Sequence, residues 1–330
     1  MNPEITVMNP FNSLIRTELE HFENNLDVAL EADVELVDDI ARYMSKLKGK
    51  RLRPALALLS AKAVGLECRD DIIEAAVAVE MIHAATMVHD DVVDSATMRR
   101  GRESINEKWS GQVAVLMGDF LLAKALCMLV EIGNLQALAI VSKATQRLSV
   151  GEIFEIQIGE QHDVRESSYL RMVNDKTASL ISASVCLGPI FSKADKSVID
   201  SMKKYGELLG AAFQIADDIL DFTGDSATMG KPVGHDLREG KLTLPLIRAL
   251  QLAPMEVCER IRRLIGEPEK GEAEWQQVVA FVEEFSGVAA AEATAREYSA
   301  QALKCLEILP ETPAREALEL AVELVVERKS

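Results

Sequence analysis

Aromatic residues are scarce: they make up 5% of the 330 residues, while 48% are hydrophobic. A core must then come from Ala, Leu, Ile and Val, which interdigitate between helices without bulky rings. Positive charge is also short. Asp and Glu number 53 against 36 Lys and Arg, leaving a net charge of −17. That balance excludes a general nucleic-acid binder, which needs a basic face to displace counterions, and makes each local basic cluster more informative. Cysteine is sparse, with Cys68, Cys127, Cys186, Cys258 and Cys305 scattered without any CxxC spacing. Such a pattern fits buried thiols in a reducing, cytoplasmic setting rather than a disulfide framework or a zinc site. The N-terminal MNPEITVMNPFNSL lacks a basic segment followed by an apolar one, so no secretory leader is expected. A long clean apolar run is missing too. The most apolar window, Gln112 to Val130, is interrupted by Asp119 and Lys124, and no membrane span is expected.

What is present is helical periodicity along most of the chain. Helices are expected near 11–46, 52–64, 70–94, 112–131, 134–160, 167–186, 194–223, 241–251, 255–265, 272–283, 287–307 and 313–328. No window shows sustained strand alternation. Breaks are expected at Pro54, at Gly188-Pro189 and across the glycine-rich stretch from Phe222 to Gly240. A loop of that length beside a cluster of acids has the character of a functional lid. With no shift in composition to mark a boundary, residues 1–330 are expected to form one all-α, single-domain helical bundle around a central cavity.

Two acidic motifs of the same DDxxD form stand out, Asp90-Asp91-Val92-Val93-Asp94 and Asp217-Asp218-Ile219-Leu220-Asp221. In a helix the first and last Asp share a face, with Cβ atoms roughly 6 Å apart. Like charges at that spacing repel, so a fold gains no stability from them. Mg²⁺ does gain, since it takes one or two carboxylates and completes its shell with phosphate oxygens and water. Basic clusters accompany the acids: Lys48-Gly49-Lys50-Arg51-Leu52-Arg53-Pro54 upstream, Arg99-Arg100 after the first motif, and Gly230-Lys231 after the second. Guanidinium groups suit phosphate because their planar fork donates paired, charge-assisted hydrogen bonds. Taken singly, each cluster also fits a solvated helix end, and His83 alone fits a satisfied core residue. Two acidic motifs in one chain, joined by three basic clusters, fit surface decoration poorly.

The chain resembles the trans-isoprenyl diphosphate synthases in GKRLRP at 49–54, HDDVVD at 89–94 with Met98-Arg99-Arg100-Gly101, Lys176-Thr177, FQIADDILD at 213–221 and GKPVGHDLREGK at 230–241. LPETPAREAL at 309–318 is similar to the octaprenyl branch of that family. His235 departs from the pattern, standing where many relatives carry Asp or Asn. The resemblance implies an isoprenoid-synthase fold and a prenyltransferase that joins isopentenyl diphosphate to an allylic diphosphate. It implies that Asp90, Asp94, Asp217 and Asp221 hold Mg²⁺, about three ions per site. Arg99 and Lys231 would grip the allylic diphosphate, while Lys50, Arg53, His83 and Arg100 would hold isopentenyl diphosphate. Lys176, Thr177 and Gln214 would lie near the allylic cation, with His89 supporting Asp90. A homodimer is the family's usual state.

Product length is read from the helix before the first motif, at Ala85 and Thr86, then Met81, Ile82 and Ala78. Short-chain members carry an aromatic side chain at one of the first two positions, and here both are small. The turns from Ala85 back to Ala78 add roughly 10 Å of depth, so a product of about C40 is expected, for a quinone side chain, with Leu126 or Met128 as a floor. A geranylgeranyl or farnesyl diphosphate synthase is the nearer alternative. From another class, Glu18-x-x-His21 and Glu80-x-x-His83 could belong to a di-iron carboxylate bundle, although that reading leaves both DDxxD motifs unused. A non-catalytic subunit would be expected to erode one motif, and a terpene cyclase has no use for a second diphosphate site.

Overall fold

The computed structural model describes residues 13–47, 49–223, 234–267 and 271–326. The chain runs through α1 (Arg16–Ala29), α2 (Glu35–Met44), a 3-10 turn (Ser45–Leu47), α3 (Leu52–Ala63) and α4 (Asp70–Val93). A short antiparallel hairpin follows, β1 (Met98–Arg99) with β2 (Arg102–Glu103). Next come α5 (Ile105–Lys108), α6 (Gly111–Ile132), α7 (Leu135–Glu160) and α8 (Glu166–Val173). A π-helical turn (Asn174–Ala178) leads into α9 (Ser179–Phe191), then α10 (Lys196–Thr223), α11 (His235–Arg238), α12 (Leu244–Leu252) and α13 (Met255–Gly266). The remaining helices are α14 (Glu272–Glu284), α15 (Gly287–Cys305) and, after a 3-10 turn (Leu306–Ile308), α16 (Pro313–Val326). The fold is all-α, as the aliphatic composition led us to expect. Two compact units divide the chain: Met1–Thr145, Ala183–Lys203 and Ile308–Leu318 in the first, and Gln146–Ser182, Lys204–Glu307 and Glu319–Ser330 in the second.

The first unit is built around α4, which packs against α1, α3, α5 and most extensively α6. Its sequence from Ile72 to Ile82 is buried at nearly every position, because Ala75, Ala76 and Ala78 let neighbouring helices approach from several sides. Each larger side chain buried there contributes on the order of 1.5–3 kcal/mol. Two glycines permit the closest approaches. A Cβ at Gly118 of α6 would fall 2.2 Å from the His89 ring of α4, and one at Gly188 of α9 would fall 2.3 Å from the Ala61 backbone nitrogen of α3.

In the second unit α12 serves two apolar clusters. Leu244 and Ile247 join Tyr169, Met172, Ile215 and Ala291, while Leu246, Ala249 and Leu250 join Ile261, Val278 and Phe281. Pro245 sits in the first turn of α12, where a missing N–H costs no helical bond.

Four sequence expectations are corrected. The region 11–46 is two helices, parted between Ala29 and Glu35. The break expected at Gly188-Pro189 is absent: α9 continues to Phe191, with Gly188 packed on the α3 backbone. Pro54 lies inside the first turn of α3 rather than ending it. A hairpin exists after all, because Arg100 (φ 51°) and Gly101 (φ 74°) both adopt left-handed backbone, the requirement of a type I′ turn. By length and composition α4 and α6 could each cross a membrane. α4 is mostly buried, whereas only a third of the apolar window in α6 is, leaving Leu116, Leu126 and Val130 exposed.

Gly188→Ala should destabilise the protein by about 2–3 kcal/mol, because the added methyl meets backbone that cannot rotate away. Urea denaturation measures this, and a loss within error of zero would refute the close packing.

Candidate active site

In the first unit the acidic motif forms the last turn of α4, where the helix dipole disfavours anions. Ser95 turns left-handed (φ 51°), and the Ala96 N–H returns to the Asp91 carbonyl at 2.9 Å, closing the helix. The three carboxylates then take different roles. Asp91 is 5% exposed and accepts from Arg99 Nη2 at 2.6 Å and Nε at 2.9 Å. Asp90 is half-buried and Asp94 exposed. His89 turns to α6, with Nε2 at 3.2 Å from the Val115 carbonyl and 3.4 Å from Asp119. Its support of Asp90 is thus indirect, through anchoring of the helix that carries it.

The type I′ hairpin sends Arg99 and Arg100 back toward α4, where a cavity of about 120 Å³ is lined by Arg51, Glu80, His83, Arg99 and Arg100, with Met81 at its wall. Burial first, then the charges of Arg53, Arg100, Arg99 and Arg51, hold the His83 imidazole well below its ordinary value. His83 is therefore a neutral imidazole among guanidinium groups. Arg53 is half-buried, its Nε removed from water without a hydrogen-bond partner. Burial disfavours its charge, and Glu80 opposes that effect. Lys50 is exposed beside them. Arg53, Arg99 and Arg100 thus lie close to His83, and Arg99, expected on the allylic diphosphate, is directed onto Asp91.

Two residues with large roles were missed. Arg51, left-handed at φ 52°, bridges Glu23 of α1 and Glu80 of α4, each at 2.8 Å. It anchors the turn that positions Arg53. Glu80 is the buried counter-charge of the cluster. The Lys-Arg-Leu-Arg run contained Arg51, but only the tertiary pairing distinguishes it from its neighbours. The same pairing removes support from a di-iron site, since Glu18 is bound to Lys62 at 2.6 Å and Glu80 to Arg51.

In the second unit the other motif ends α10. Asp217 is exposed, Asp218 is 2% exposed, and Asp221 is half-buried. Asp218 receives the Tyr169 hydroxyl at 2.5 Å on Oδ2 and the Gln214 amide at 2.9 Å on Oδ1. Burial pushes its pKa well up, and these two hydrogen bonds act against that shift. The Asp221 carboxylate accepts from the His235 and Asp236 backbone N–H groups at 3.1 and 3.3 Å, capping α11. Thr177 donates to the Gln214 carbonyl at 2.7 Å. Lys176 lies within ion-pair distance of Glu155 (2.5 Å) and Glu152 (2.8 Å). Burial opposes its charge, but the two carboxylates outweigh it and raise its pKa.

Lys176 and Thr177 sit in the π turn, which Arg147 supports through Asp175 (2.7 Å) and the Asn174 carbonyl (3.1 Å). Gly151 lets α7 reach it, since a Cβ there would lie 2.5 Å from the Lys176 nitrogen. Single π turns of this kind are frequent at functional sites. Lys176, Gln214, Asp217 and Asp236 line a cavity of about 150 Å³. Lys231 and most of the expected lid lie outside the described residues.

Residues 34–282 match the polyprenyl synthetase family. The chain belongs to that family. It is 37% identical over 303 residues to an all-trans-nonaprenyl-diphosphate synthase of Rhodobacter capsulatus, covering 92% of each chain. It is 36% identical to octaprenyl diphosphate synthase of Escherichia coli, covering 91% of this chain and 92% of that one. A polyprenyl synthase from Caulobacter crescentus, whose crystal structure holds calcium and isoprenyl diphosphate, superposes with a TM-score of 0.91 at 33% identity, covering 98% of both chains. The chain is a prenyltransferase of the trans-polyprenyl diphosphate synthase type, with an isoprenoid-synthase fold.

Because His83 is held neutral when folded, its contribution to stability is full above the ordinary histidine value of 6.5 and is lost as pH falls toward its lowered folded value. His83→Gln should therefore flatten the fall in unfolding free energy between pH 7.5 and pH 5.5 by about 1 kcal/mol. Parallel curves for the two proteins would contradict this placement.

Proposed function

We propose that the chain condenses isopentenyl diphosphate with an allylic diphosphate, in successive head-to-tail steps, to an all-trans polyprenyl diphosphate of octaprenyl length, the product named for its Escherichia coli relative. The observation that carries this reading is the sorting of carboxylates within each motif. One is buried on protein donors, while Asp94 and Asp217 are exposed and Asp90 is half-buried. Among the described residues no three His, Cys, Asp or Glu side chains form a cage for a metal. Hard oxygen donors without a cage suit Mg²⁺ that arrives with a diphosphate, as does the calcium and isoprenyl diphosphate held by the Caulobacter relative. Asp90, Asp94, Asp217 and Asp221 would hold about three such ions. Of these, Asp221 has a competing use as the cap of α11. When bound, the metal neutralises the leaving diphosphate.

The remaining steps fall to side chains. Arg53, His83, Arg100 and Lys50 would bind isopentenyl diphosphate in the basic cavity, with Arg51 and Glu80 holding the cavity in shape. Arg99 and Lys231 would bind the allylic diphosphate. The allylic C–O bond breaks and its electron pair leaves on diphosphate. The isopentenyl double bond then supplies the pair for the new C–C bond, and the proton lost from the adduct passes to the released diphosphate. Lys176, Thr177 and Gln214 would face the cation between these steps.

For length, Thr86 is half-buried one turn before Asp90, and Ala85 and Met81 are buried. Leu126, at 39% exposed, does not fill an interior floor within its unit. Leu116, Asp119, Ala123, Leu126 and Val130 instead form a largely apolar stripe along the outer face of α6, suited to packing against a second copy in a homodimer. A single polyprenyl synthase domain, placed in the cytoplasm with its five free thiols, completes the reading.

Labelled isopentenyl diphosphate with farnesyl diphosphate and Mg²⁺ should give chains near C40, and chelation should abolish them. Ala85→Tyr should shift the products several isoprene units shorter. Unchanged products from that variant would refute the tunnel assignment, and metal-independent turnover would refute the carboxylate roles.

A further inference from the structure

The second unit contains a hydrogen-bonded chain that ends on the residues assigned to the cation. Tyr169, Asp218, Gln214 and Thr177 follow one another at 2.5, 2.9 and 2.7 Å. Tyr169 is 1% exposed, Asp218 2% and Thr177 8%, while Gln214 is half-buried at the cavity wall. Each link has a direction. The Asp218 Oδ1 accepts from the Gln214 amide N–H, and Oδ2 from the Tyr169 hydroxyl. Once the Gln214 amide has turned its NH₂ to Asp218, its carbonyl oxygen must face Thr177. That oxygen claims the threonine hydroxyl hydrogen. What remains on Thr177 for anything bound beside it is lone pairs, and the second lone pair of the Gln214 carbonyl is oriented alike.

We propose that Tyr169 and Asp218 are positioning residues that set the polarity of Thr177 and Gln214, so that both present oxygen lone pairs, and no hydrogens, to the allylic cation. The inference rests on the reading that Thr177 and Gln214 face that cation. Without Asp218 as a fixed acceptor the amide is free to rotate. Its NH₂ would then donate to Thr177, whose hydroxyl hydrogen would be turned toward the cation and repel it. The invariant of the device is therefore the acceptor at 218, with Tyr169 holding it in register. Preorganised dipoles of this kind act where charge develops and need no reorganisation during the step. Asp218 lies in the second acidic motif, yet its two oxygens are engaged by protein donors, which separates its role from that of exposed Asp217.

The test compares Asp218→Leu, Tyr169→Phe, Thr177→Val and Thr177→Ser in the full chain. The readouts are kcat, KM for isopentenyl and farnesyl diphosphates, the Mg²⁺ concentration for half activation, and the thermal midpoint. Leu at 218 keeps similar bulk but removes the acceptor, so kcat should fall by about 10². Both KM values and the Mg²⁺ requirement should stay within about threefold, since both Asp218 oxygens already face protein donors. Tyr169→Phe removes one anchor and should lower kcat by about tenfold with the same pattern. Thr177→Ser, which keeps the hydroxyl, should restore most of what Thr177→Val loses. If Asp218→Leu keeps its kcat, or if its loss follows a raised Mg²⁺ requirement, the inference is overturned. It is also overturned if Tyr169→Phe lowers the thermal midpoint alone. If Thr177→Val has full kcat, the assignment of Thr177 to the cation fails, a result separable from failure of the network alone.

Discussion

A carboxylate taken out of water needs donors on both oxygens or a cation in contact, and each acidic motif in this chain contains one such carboxylate. Asp91 is matched by Arg99, and Asp218 by Tyr169 and Gln214. Because adjacent helical residues point about 100° apart, turning the second Asp inward turns the first, Asp90 or Asp217, aside from it. The burial of one acid thus constrains where its neighbour points. At the C-terminal end of α4 and α10, the motif acids add negative charge where the helix dipole already places it, an arrangement that divalent cations and their diphosphates stabilise.

The basic half of the site depends on the same economy of charge. Glu80 is buried and contacts Arg51, and Arg51 reaches back to Glu23, so one guanidinium ties α1 and α4 to the turn before α3. The left-handed backbone at Arg51 and Arg100 is the local cost of aiming these groups inward. His83 stays neutral because burial removes it from water and the charges of four arginines act in the same direction. A neutral imidazole can donate one hydrogen bond without adding to a charge density that the arginines already supply.

Helical elements were legible from periodicity alone, including the long helices that carry Asp90 and Asp217, because period and composition agree there. Helix ends were less so. Gly188-Pro189 reads as a break by local chemistry, yet the glycine is a packing contact with α3, a relation between residues far apart in sequence. Pro54 is tolerated for the opposite reason, lying where no helical N–H is needed. Among the candidate site residues, motif members such as His83, Arg100, Thr177 and Gln214 were singled out by spacing and resemblance. Arg51, Glu80 and Tyr169 were not, because nothing in KRLRP, EMIH or SSYL marks a side chain whose partner lies tens of residues away. The ion pairs of Lys176 and Arg99 and the capping role of Asp221 were invisible for the same reason.

The central claim is the division of labour within each DDxxD, outer acids for metal and the second acid for the protein. Anomalous diffraction from crystals grown with Mn²⁺ and a non-hydrolysable allylic diphosphate tests it directly. Mn²⁺ should lie within about 2.2 Å of oxygens from Asp90, Asp94 and Asp217, with Asp91 still on Arg99 and Asp218 still on Tyr169. Mn²⁺ bound to Asp91 or Asp218, with those partners displaced, would contradict the account.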